Sequence, residues 1–355
     1  MRERLNAAVL GATGTVGQRF VEMLSNHPWF ELTSLTGGNS AGKTYGEAVT
    51  WLSEGDPPDE LREMKITESE PDLVDVGIVF SALPSRVARV LEPKFAEAGL
   101  PVLSNASTHR MAGDVPLIIP EVNPDHLSLI PHQRRKRGWR GFIVTDPNCS
   151  TINLALVLKP IHDLTRVGRV LVTTLQAVSG AGYPGVPSLS IIDNVIPYIP
   201  HEEEKMSSET RKILGFMNDG AVKEAEMVVE ASCTRVPSLD GHLEIINIET
   251  EDSLDAETSA EALRSFRGVP QDLRLPTAPE DPIILRAEPD RPQPRLDRLA
   301  GSVPGMSVSV GRLRVSEDDR QLRVVALGHN TIRGAAGTSI LTAELLVNQG
   351  VIEGS

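Results

Sequence analysis

Short apolar runs alternate with amphipathic stretches through the first 150 residues of the chain. The runs are rich in Val, Ile, Leu or Ala and cover residues 6–10, 30–35, 76–82 and 100–103. The stretches between them, such as residues 85–98, place apolar side chains at helical spacing. Strands that alternate with helices predict a parallel sheet with helices on both faces. The first part of the chain is therefore predicted to be an α/β domain.

The pattern changes after about residue 165. Longer strands are predicted at residues 169–177, 226–234, 243–250, 306–316 and 320–327. The last two are joined by the acidic turn 317–319 and predict an antiparallel hairpin. Helices are predicted at 202–214 and 256–266, and a final helix at 334–349 is expected to pack on the first domain. The second domain is thus α+β with a mixed, largely antiparallel sheet. We predict domains at residues 1–148 with 331–355 and at 149–330.

Two stretches depart from these patterns. Residues 133–137 form a basic cluster, which we expect to be a solvated surface loop before the strand 142–145. Residues 276–294 hold six prolines. Proline lacks the backbone N–H that a helix interior or a central strand needs. We therefore expect an extended arm that lies across a surface, such as a subunit interface.

Composition narrows the class of protein. A chain of 355 residues with 40% apolar and 23% charged residues predicts two globular domains. The net charge of −13 argues against a nucleic-acid partner, which requires a basic face. Two cysteines are too few for a disulfide framework, and no apolar run approaches the ~18 residues that cross a bilayer. We expect a cytoplasmic protein with reduced thiols and no membrane partner.

A glycine-rich turn follows the first predicted strand and opens the first predicted helix. Gly11, Gly14 and Gly17 lack side chains, so the backbone there can approach a pyrophosphate at the helix N-terminus. The spacing is G-x-x-G-x-x-G rather than G-x-G-x-x-G, and a tight turn that only packs would use the same residues. The strand–turn–helix context favours a Rossmann-like dinucleotide site.

The end of the second predicted strand distinguishes the two dinucleotides. An NAD site usually has an Asp or Glu there for the ribose hydroxyls. Residues 36–43 contain no acid, but they offer the hydroxyls of Thr36 and Ser40, glycine amides and the ammonium group of Lys43. These groups suit a 2′-phosphate, so we predict NADP as the cofactor.

Cys149 lies directly before the apolar run 152–158, which predicts a buried helix. We expect the cysteine at or just before the first helical turn. Free N–H groups and about half a positive charge at a helix N-terminus lower a cysteine pKa from ~8.5 into a range of roughly 3.5–7.5. The same N–H groups can hold an oxyanion. The position indicates a nucleophile, although a buried core thiol would have the same sequence.

Arg235 and His242 lie seven residues apart in a loop that contains Pro and Gly and joins two predicted strands. His can move protons near neutral pH, and Arg can hold a carboxylate with two hydrogen bonds. A lone His is more often structural, but a Cys, a His and a dinucleotide turn together indicate an enzyme. Gln176 ends a strand before the glycine-rich loop 179–185. No His, Cys and acid set has metal-ligand spacing, so we predict no catalytic metal.

Two further segments offer substrate ligands. Asn105 and Arg110 follow a strand of the first domain, at the edge where a parallel sheet binds ligands. Arg110 is a candidate for an anionic substrate group. Glu202 and Lys205 open a predicted helix, where acids also stabilise the first turn without any further role.

Several of these motifs occur together in one order, and they resemble the aspartate-β-semialdehyde dehydrogenase family in its archaeal and fungal branch. The resemblance covers essentially the whole chain. The matching motifs are 11–17, 40–43, 81–85, 104–107, 147–151, 235–242, Asn330 and 333–337.

The resemblance implies a role for each candidate. Cys149 would be the nucleophile, His242 the acid/base and Gln176 the residue that orients the substrate. Substrate ligands would be Arg235 for the carboxylate, Glu202 for the amino group, Arg110 and Lys205 for phosphate, and Asn105. Cofactor contacts would come from Gly11, Thr13, Gly14, Thr15, Val16, Thr36, Ser40, Lys43, Ser81, Gly182 and Asn330.

The resemblance also implies a reaction. Cys149 would add to aspartate semialdehyde, His242 would take the hydroxyl proton as hydride passes to NADP, and phosphate would release aspartyl phosphate from the thioester. The cell would use the reverse direction, in the biosynthesis of lysine, threonine and methionine. The family further implies a homodimer or homotetramer.

Two other interpretations use the same features. The related archaeal malonyl-CoA reductase shares the glycine turn, the Cys–His pair, the basic run and the proline-rich arm. Glu202 and Lys205 favour the semialdehyde enzyme, because a malonyl thioester has no amino group or phosphate to bind. A non-catalytic NADP-binding sensor would keep the fold, but packing alone does not require Cys149, His242 and Arg235 together.

Overall fold

The first sheet has six parallel strands in a Rossmann-like arrangement. The structure is a computed structural model that describes residues 4–352. In order across the sheet, the strands are β3 (Ile66–Thr67), β2 (Phe30–Thr36), β1 (Leu5–Leu10), β4 (Ile78–Ser81), β5 (Pro101–Ser104) and β6 (Phe142–Thr145). Every residue of β4, β5 and β6 is buried, as expected for strands covered on both faces. The predicted parallel sheet is confirmed.

Helices and short turns connect these strands. The helices are α1 (Thr15–Leu24), α2 (Tyr45–Ala48), α3 (Asp59–Arg62), α4 (Ser85–Glu97) and α5 (Leu129–Arg137). Single 3₁₀ turns lie at Pro71–Leu73, Ser107–His109 and Pro124–Ser128.

The second sheet is mixed and also has six strands. In order across it, these are β10 (Val228–Arg235), β7 (Val167–Gln176), β11 (His242–Thr250), β14 (Gln321–Gly328), β13 (Val308–Val315) and β12 (Ile283–Leu285). The β10–β7 and β12–β13 pairs are parallel, and the other three pairs are antiparallel. This arrangement confirms the predicted α+β domain and the β13–β14 hairpin. A separate hairpin pairs β8 (Phe216–Asn218) with β9 (Ala221–Lys223).

The remaining helices are α6 (Cys149–Leu164), α7 (Ser188–Ile191), α8 (Glu202–Ile213), α9 (Ala256–Ser265), α10 (Val269–Asp272), α11 (Pro294–Asp297) and α12 (Gly337–Asn348). Apolar side chains of α6 pack with one face of the second sheet in a single buried cluster. Those of α12 pack in the cluster that contains β1 and β2. The final helix thus lies against the first sheet. The proposed domain boundaries stay a prediction, and their ends at residues 1–3 and 353–355 lie outside the described residues.

The basic cluster at 133–137 is helical, so the expected surface loop is wrong. It forms the second half of α5, whose Leu129, Ile130 and Gln133 are buried. Gly138 ends the helix in the left-handed conformation at φ 69°. The basic side chains stabilise this end of the helix because carbonyl groups there carry partial negative charge. Charge alone did not reveal the buried face.

The proline-rich stretch 276–294 is extended only in part. Its residues Ile283–Leu285 form β12 at the edge of the second sheet, parallel to β13. An edge strand tolerates flanking prolines because one of its two sides forms no backbone hydrogen bonds with another strand. Among residues 4–352, no helix is both long enough and apolar enough to cross a bilayer.

Candidate active site

Cys149 is the first residue of α6 and directly follows the loop after β6. The Asn148 side chain caps this helix by accepting hydrogen bonds from the N–H groups of Ser150 and Thr151, at 3.0 and 3.3 Å. An Asn at this position satisfies donors that a helix start otherwise leaves free. The predicted position of Cys149 at the first helical turn is confirmed.

The pKa of the Cys149 thiol contradicts the sequence expectation. Burial, with a smaller contribution from the Glu202 carboxylate, raises it to about 12. Arg235, Arg110 and the N–H of Ser150 lower it, but by less. The expected low pKa is therefore wrong for the site without ligands, because loss of hydration disfavours the thiolate more than the helix end favours it. The residue keeps intermediate exposure, so a substrate can reach it.

One residue, Ala177, orients both Arg235 and His242 through its backbone. Its carbonyl accepts a hydrogen bond from Nη1 of Arg235 at 2.8 Å. Its N–H donates to Nδ1 of His242 at 3.1 Å. Both side chains are buried. Ala177 directly follows β7, so the central position of this strand brings the two residues together from its two neighbours.

Gly180 lies over both side chains. A Cβ atom at this position would be 2.8 Å from Nη1 of Arg235 and 3.2 Å from Nε2 of His242. Only glycine therefore lets the 3₁₀ turn Val178–Ala181 approach so closely. Burial and the neighbouring Arg235 and His329 hold the pKa of His242 well below its ordinary value. Its Nε2 atom is buried and has no hydrogen-bond partner among the described residues.

Gln176 lies in the same row of the second sheet. The parallel register pairs it with Arg235. The antiparallel pair Leu243–Leu175 places His242 across from it on the other side. Gln176 is buried, and its amide donates to the Thr174 hydroxyl at 3.2 Å. Strand pairing thus collects three predicted site residues that are up to 66 positions apart in the sequence.

The backbone of Gly334 packs directly on Cys149. A Cβ atom at Gly334 would be 2.7 Å from Cβ of Cys149. Gly334 lies in a π-helical turn, Ile332–Ala336, that precedes α12. Such turns are frequent at functional sites. Arg333 in this turn forms a fully buried two-bond ion pair with Glu121, at 2.9 and 2.7 Å, which fixes the turn against the first domain.

Helix α8 brings Glu202 and Lys205 to the start of α6. Glu202 accepts a hydrogen bond from Nδ2 of Asn148 at 2.6 Å and one from Nζ of Lys205 at 3.3 Å. Glu202 is buried and Lys205 is half-buried. The predicted amino-group ligand therefore lies next to the cysteine, and Asn148 is a site residue that the sequence indicated only as a neighbour.

Glu209 joins Arg110 to the same helix start, and sequence reasoning missed it. Its carboxylate accepts Nη1 of Arg110 at 3.0 Å and the N–H of Asn148 at 2.6 Å. Arg110 also donates from Nη2 to the carbonyl of Asn105 at 2.8 Å. Glu209 follows Glu202 by seven residues, which is two helical turns. That spacing was the available signal, because it puts both carboxylates on one face of α8.

The glycine turn after β1 is fixed to the end of β2 by backbone hydrogen bonds. Gly11 adopts φ +75°, and the N–H groups of Gly11 and Ala12 donate to the Thr36 carbonyl at 3.0 and 3.2 Å. Gly14 caps α1 without a side chain, and Thr13, Thr15 and Val16 are partly exposed around it. The Thr15 hydroxyl accepts the N–H of Tyr183 at 3.0 Å, which places the neighbouring Gly182 beside the turn.

The remaining cofactor candidates differ in what they can offer. The Thr36 hydroxyl is buried and shares a hydrogen bond of 2.6 Å with Ser69, so its contact with a 2′-phosphate stays a prediction. Ser40 is partly exposed and Lys43 is exposed. The Ser81 hydroxyl is buried at the end of β4 beside the Glu92 carboxyl, whose pKa burial raises.

Asn330 connects two loops of the site. Its Oδ1 accepts the N–H of Gly241 at 2.9 Å, and its Nδ2 donates to the Ser179 hydroxyl at 2.8 Å. Both the oxygen and the nitrogen of its side-chain amide thus form hydrogen bonds within the protein.

Within residues 4–352, no group of three or more His, Cys, Asp or Glu residues is arranged to hold a metal ion. Cys233 is a packed thiol in the core of the second domain.

Two family models match the chain and cover most of it. The semialdehyde dehydrogenase NAD binding domain matches residues 6–130, and the semialdehyde dehydrogenase dimerisation domain matches residues 158–333. The chain belongs to the semialdehyde dehydrogenase family. It is therefore an oxidoreductase with a domain for a nicotinamide cofactor.

Similar proteins place this semialdehyde dehydrogenase among archaeal and fungal members. It is 56% identical to an aspartate-semialdehyde dehydrogenase of Methanothermobacter thermautotrophicus, over 96% of this chain and 99% of the relative. A malonyl CoA reductase (NADP) of Metallosphaera sedula is 45% identical over 99% of both chains. The crystal structure of aspartate semialdehyde dehydrogenase with NADP from Candida albicans is 40% identical and has a TM-score of 0.90, over 98% of this chain and 100% of that chain.

Proposed function

We propose that this semialdehyde dehydrogenase reduces L-4-aspartyl phosphate to L-aspartate 4-semialdehyde through a thioester on Cys149. The main support is the grouping of Cys149 with Arg235, His242 and Glu202, which offers a nucleophile together with partners for a carboxylate, a carbonyl oxygen and an ammonium group. The high identity to aspartate-semialdehyde dehydrogenases supports the same substrate. The reaction would serve biosynthesis of aspartate-family amino acids, and its cytoplasmic location stays a prediction from composition.

Substrate binding would prepare the thiol for attack. The planar guanidinium of Arg235 holds the substrate carboxylate, and the substrate ammonium group pairs with Glu202. Because the Glu202 carboxylate raises the pKa of Cys149, an ammonium group beside Glu202 would lower that pKa again. Arg110 and Lys205 provide positive charge for the phosphate. Gln176 orients the bound substrate.

Catalysis would then use groups already at the site. The Cys149 sulfur attacks the acyl carbon, and the bond to phosphate breaks. The partial positive charge at the start of α6 and the His242 ring stabilise charge on the carbonyl oxygen. When it is bound, a nicotinamide cofactor would supply the hydride that reduces the thioester. The carbon–sulfur bond finally breaks, which releases the aldehyde and the thiolate.

We infer that the cofactor is NADP. The turn 11–17, Thr15 and Gly182 would hold the pyrophosphate, and Ser81 and Asn330 would border the nicotinamide. Residues 36–43 contain no acid that would repel a 2′-phosphate, and Ser40 and Lys43 are accessible to bind it. The similar Candida albicans enzyme, whose crystal structure is of a complex with NADP, supports the same choice.

We also infer that the protein forms a homo-oligomer, either a homodimer or a homotetramer. The dimerisation-domain match supports pairing through the second domain. The face of the second sheet opposite α6 carries exposed Leu171, Val228 and Ile245. Exposed apolar side chains on an otherwise open sheet face are typical of a protein interface.

A phosphate-dependent assay tests the proposed reaction. Wild-type enzyme should reduce NADP⁺ with aspartate semialdehyde and phosphate, and Cys149→Ser should lose this activity while it still binds NADP. Cys233→Ser is the matched control, because Cys233 is buried in the core, and it should stay active. Faster turnover with malonyl-CoA would instead favour the reductase activity of the Metallosphaera relative. Unchanged turnover in Cys149→Ser would reject the thioester mechanism.

A further inference from the structure

We propose that Lys212 is a positioning residue for phosphate: its buried ammonium group fixes the backbone of residues 110–115 and thereby holds the Arg110 side chain where phosphate binds. The inference deepens the proposed function and rests on it, because that function assigns Arg110 to phosphate. It concerns a buried lysine to which neither the sequence motifs nor the proposed reaction gives a role.

Three backbone carbonyl groups surround the Lys212 ammonium group. Its Nζ atom donates to the carbonyl oxygens of Arg110, Ala112 and Val115, at 2.6, 2.9 and 3.0 Å. A lysine ammonium group has three N–H donors and no acceptor, so each donor has one carbonyl. The residue is only 4% exposed. This set of bonds requires the protonated form, because a neutral amine has two N–H donors and its lone pair would face the third carbonyl oxygen.

The segment that Lys212 holds carries one of the two proposed phosphate ligands. Residues 110–115 belong to no helix or strand, so no regular ladder of backbone hydrogen bonds fixes them. The Arg110 guanidinium is held separately, by the Glu209 carboxylate and the carbonyl of Asn105. Lys212 therefore fixes the main chain of Arg110, and Glu209 fixes its side chain.

One face of α8 provides these contacts together with the second proposed phosphate ligand. Glu202, Lys205, Glu209 and Lys212 follow one another at intervals of three, four and three residues. Such intervals place side chains along one face of a helix. Lys205 is thus on the same rigid element as Lys212, whereas Arg110 comes from the loop after β5. The distance between the two phosphate ligands depends on the bonds between this loop and α8, and Lys212 forms three of them.

The surroundings of Lys212 make its charge sensitive to pH. Burial lowers the pKa of Lys212 to about 8, and nearby carboxylates raise this pKa by a smaller amount. The titratable groups that face it are Asp114, Glu209, Glu224 and His126. Each of the three carboxylates also pairs with an arginine, so none of them serves Lys212 alone. As the pH rises through about 8, the ammonium group loses a proton and one of its three carbonyl bonds.

Lys212→Met tests the positioning role, because methionine has a similar length but no N–H donor. Misplacement by ~1 Å can cost about 10²-fold, so we expect the KM for phosphate at pH 7 to rise by about tenfold or more. This KM is measured with saturating aspartate semialdehyde and NADP⁺, and the KM for the semialdehyde should stay close to that of wild type. A lysine that only stabilises the fold would change the amount of active enzyme, and so kcat, but not the KM for phosphate.

Lys94→Met is the matched control for this substitution. Lys94 is exposed and pairs with Glu70 on the surface of the first domain, so this variant should keep wild-type constants. An unchanged KM for phosphate in folded Lys212→Met enzyme would overturn the proposal.

The pH dependence of the wild-type enzyme tests the same role without a variant. The KM is expressed for the phosphate dianion, so that the ionisation of phosphate itself does not enter. It should rise between about pH 7 and pH 9 as Lys212 loses its proton, and the ratio of the Lys212→Met value to the wild-type value should shrink over the same range. A wild-type KM that stays constant over this range would overturn the proposal even if Lys212→Met failed to fold.

Hydrogen–deuterium exchange, measured by mass spectrometry, follows the loop independently of turnover. Lys212→Met should exchange the amide hydrogens of residues 110–115 faster than wild type, and Lys94→Met should not. Wild-type exchange of this segment in Lys212→Met would overturn the proposal. Faster exchange together with no phosphate-dependent turnover of the wild-type enzyme would instead reject the proposed function, since Lys212 would still hold the loop.

Discussion

Gly334→Ala should damage catalysis although it removes no functional group. The new Cβ would be 2.7 Å from Cβ and 3.1 Å from Cα of Cys149, whereas ordinary contact starts at 3.4 Å. The shortfall at Cβ is 0.7 Å, and neither Cys149 atom can rotate away because both are fixed to the helix backbone. Either the π-helical turn or the start of α6 must move. Misplacement by ~1 Å can cost about 10²-fold in rate, so we expect kcat/KM to fall by about 10- to 100-fold.

Overpacking should cost the same variant about 1–3 kcal/mol of unfolding free energy. Stopped-flow or steady-state assays give kcat/KM, and denaturant titration gives the free energy. Gly113→Ala is the matched control, because Gly113 has nothing within 4 Å of a built Cβ and does not require a positive φ. Wild-type kcat/KM in Gly334→Ala, at unchanged stability, would refute the reasoning that this backbone contact positions the sulfur.

Three further variants or conditions test other parts of the site. Glu209→Gln cannot accept both the Arg110 and the Asn148 bonds, so denaturant titration should show that the free energy of unfolding falls by ~1–3 kcal/mol. The KM for phosphate should also rise, and an unchanged KM would show that Glu209 does not position Arg110. Because burial raises the pKa of Cys149 to about 12, the thiol stays protonated below that pH. The alkylation rate of the ligand-free enzyme should therefore rise about tenfold per pH unit beyond pH 9. A plateau of this rate near pH 7 would contradict the raised pKa. Lys43→Glu should lower kcat/KM with NADP and leave NAD kinetics nearly unchanged, and an equal loss with both would argue against a 2′-phosphate contact.

Local patterns in the sequence predicted the elements that carry the site. The apolar run after Cys149 and the capping Asn148 specify a helix start, because capping depends on neighbours within three residues. The glycine turn and the strand before it were predicted for the same reason. The prediction of a surface loop at 133–137 was wrong, because it relied on charge and did not account for the positions that α5 buries.

Long-range contacts could not be read from the sequence. Strand pairing places Gln176 between Arg235 and His242, and Ala177 orients the last two through backbone groups that no side-chain pattern reveals. Glu209 shares its helix face with Glu202, but only the packing of α8 on α6 shows that it meets Asn148.

The sequence by itself determined which chemical groups this semialdehyde dehydrogenase has and roughly where most of its helices and strands lie, because these depend on residue identity and on neighbours along the chain. Only the tertiary structure decided the state of those groups. The thiol pKa, expected to be low, is raised because elements that are distant in the sequence bury the sulfur and remove much of its hydration. The orientation of the His242 ring depends on a backbone N–H that is 65 residues away in the sequence.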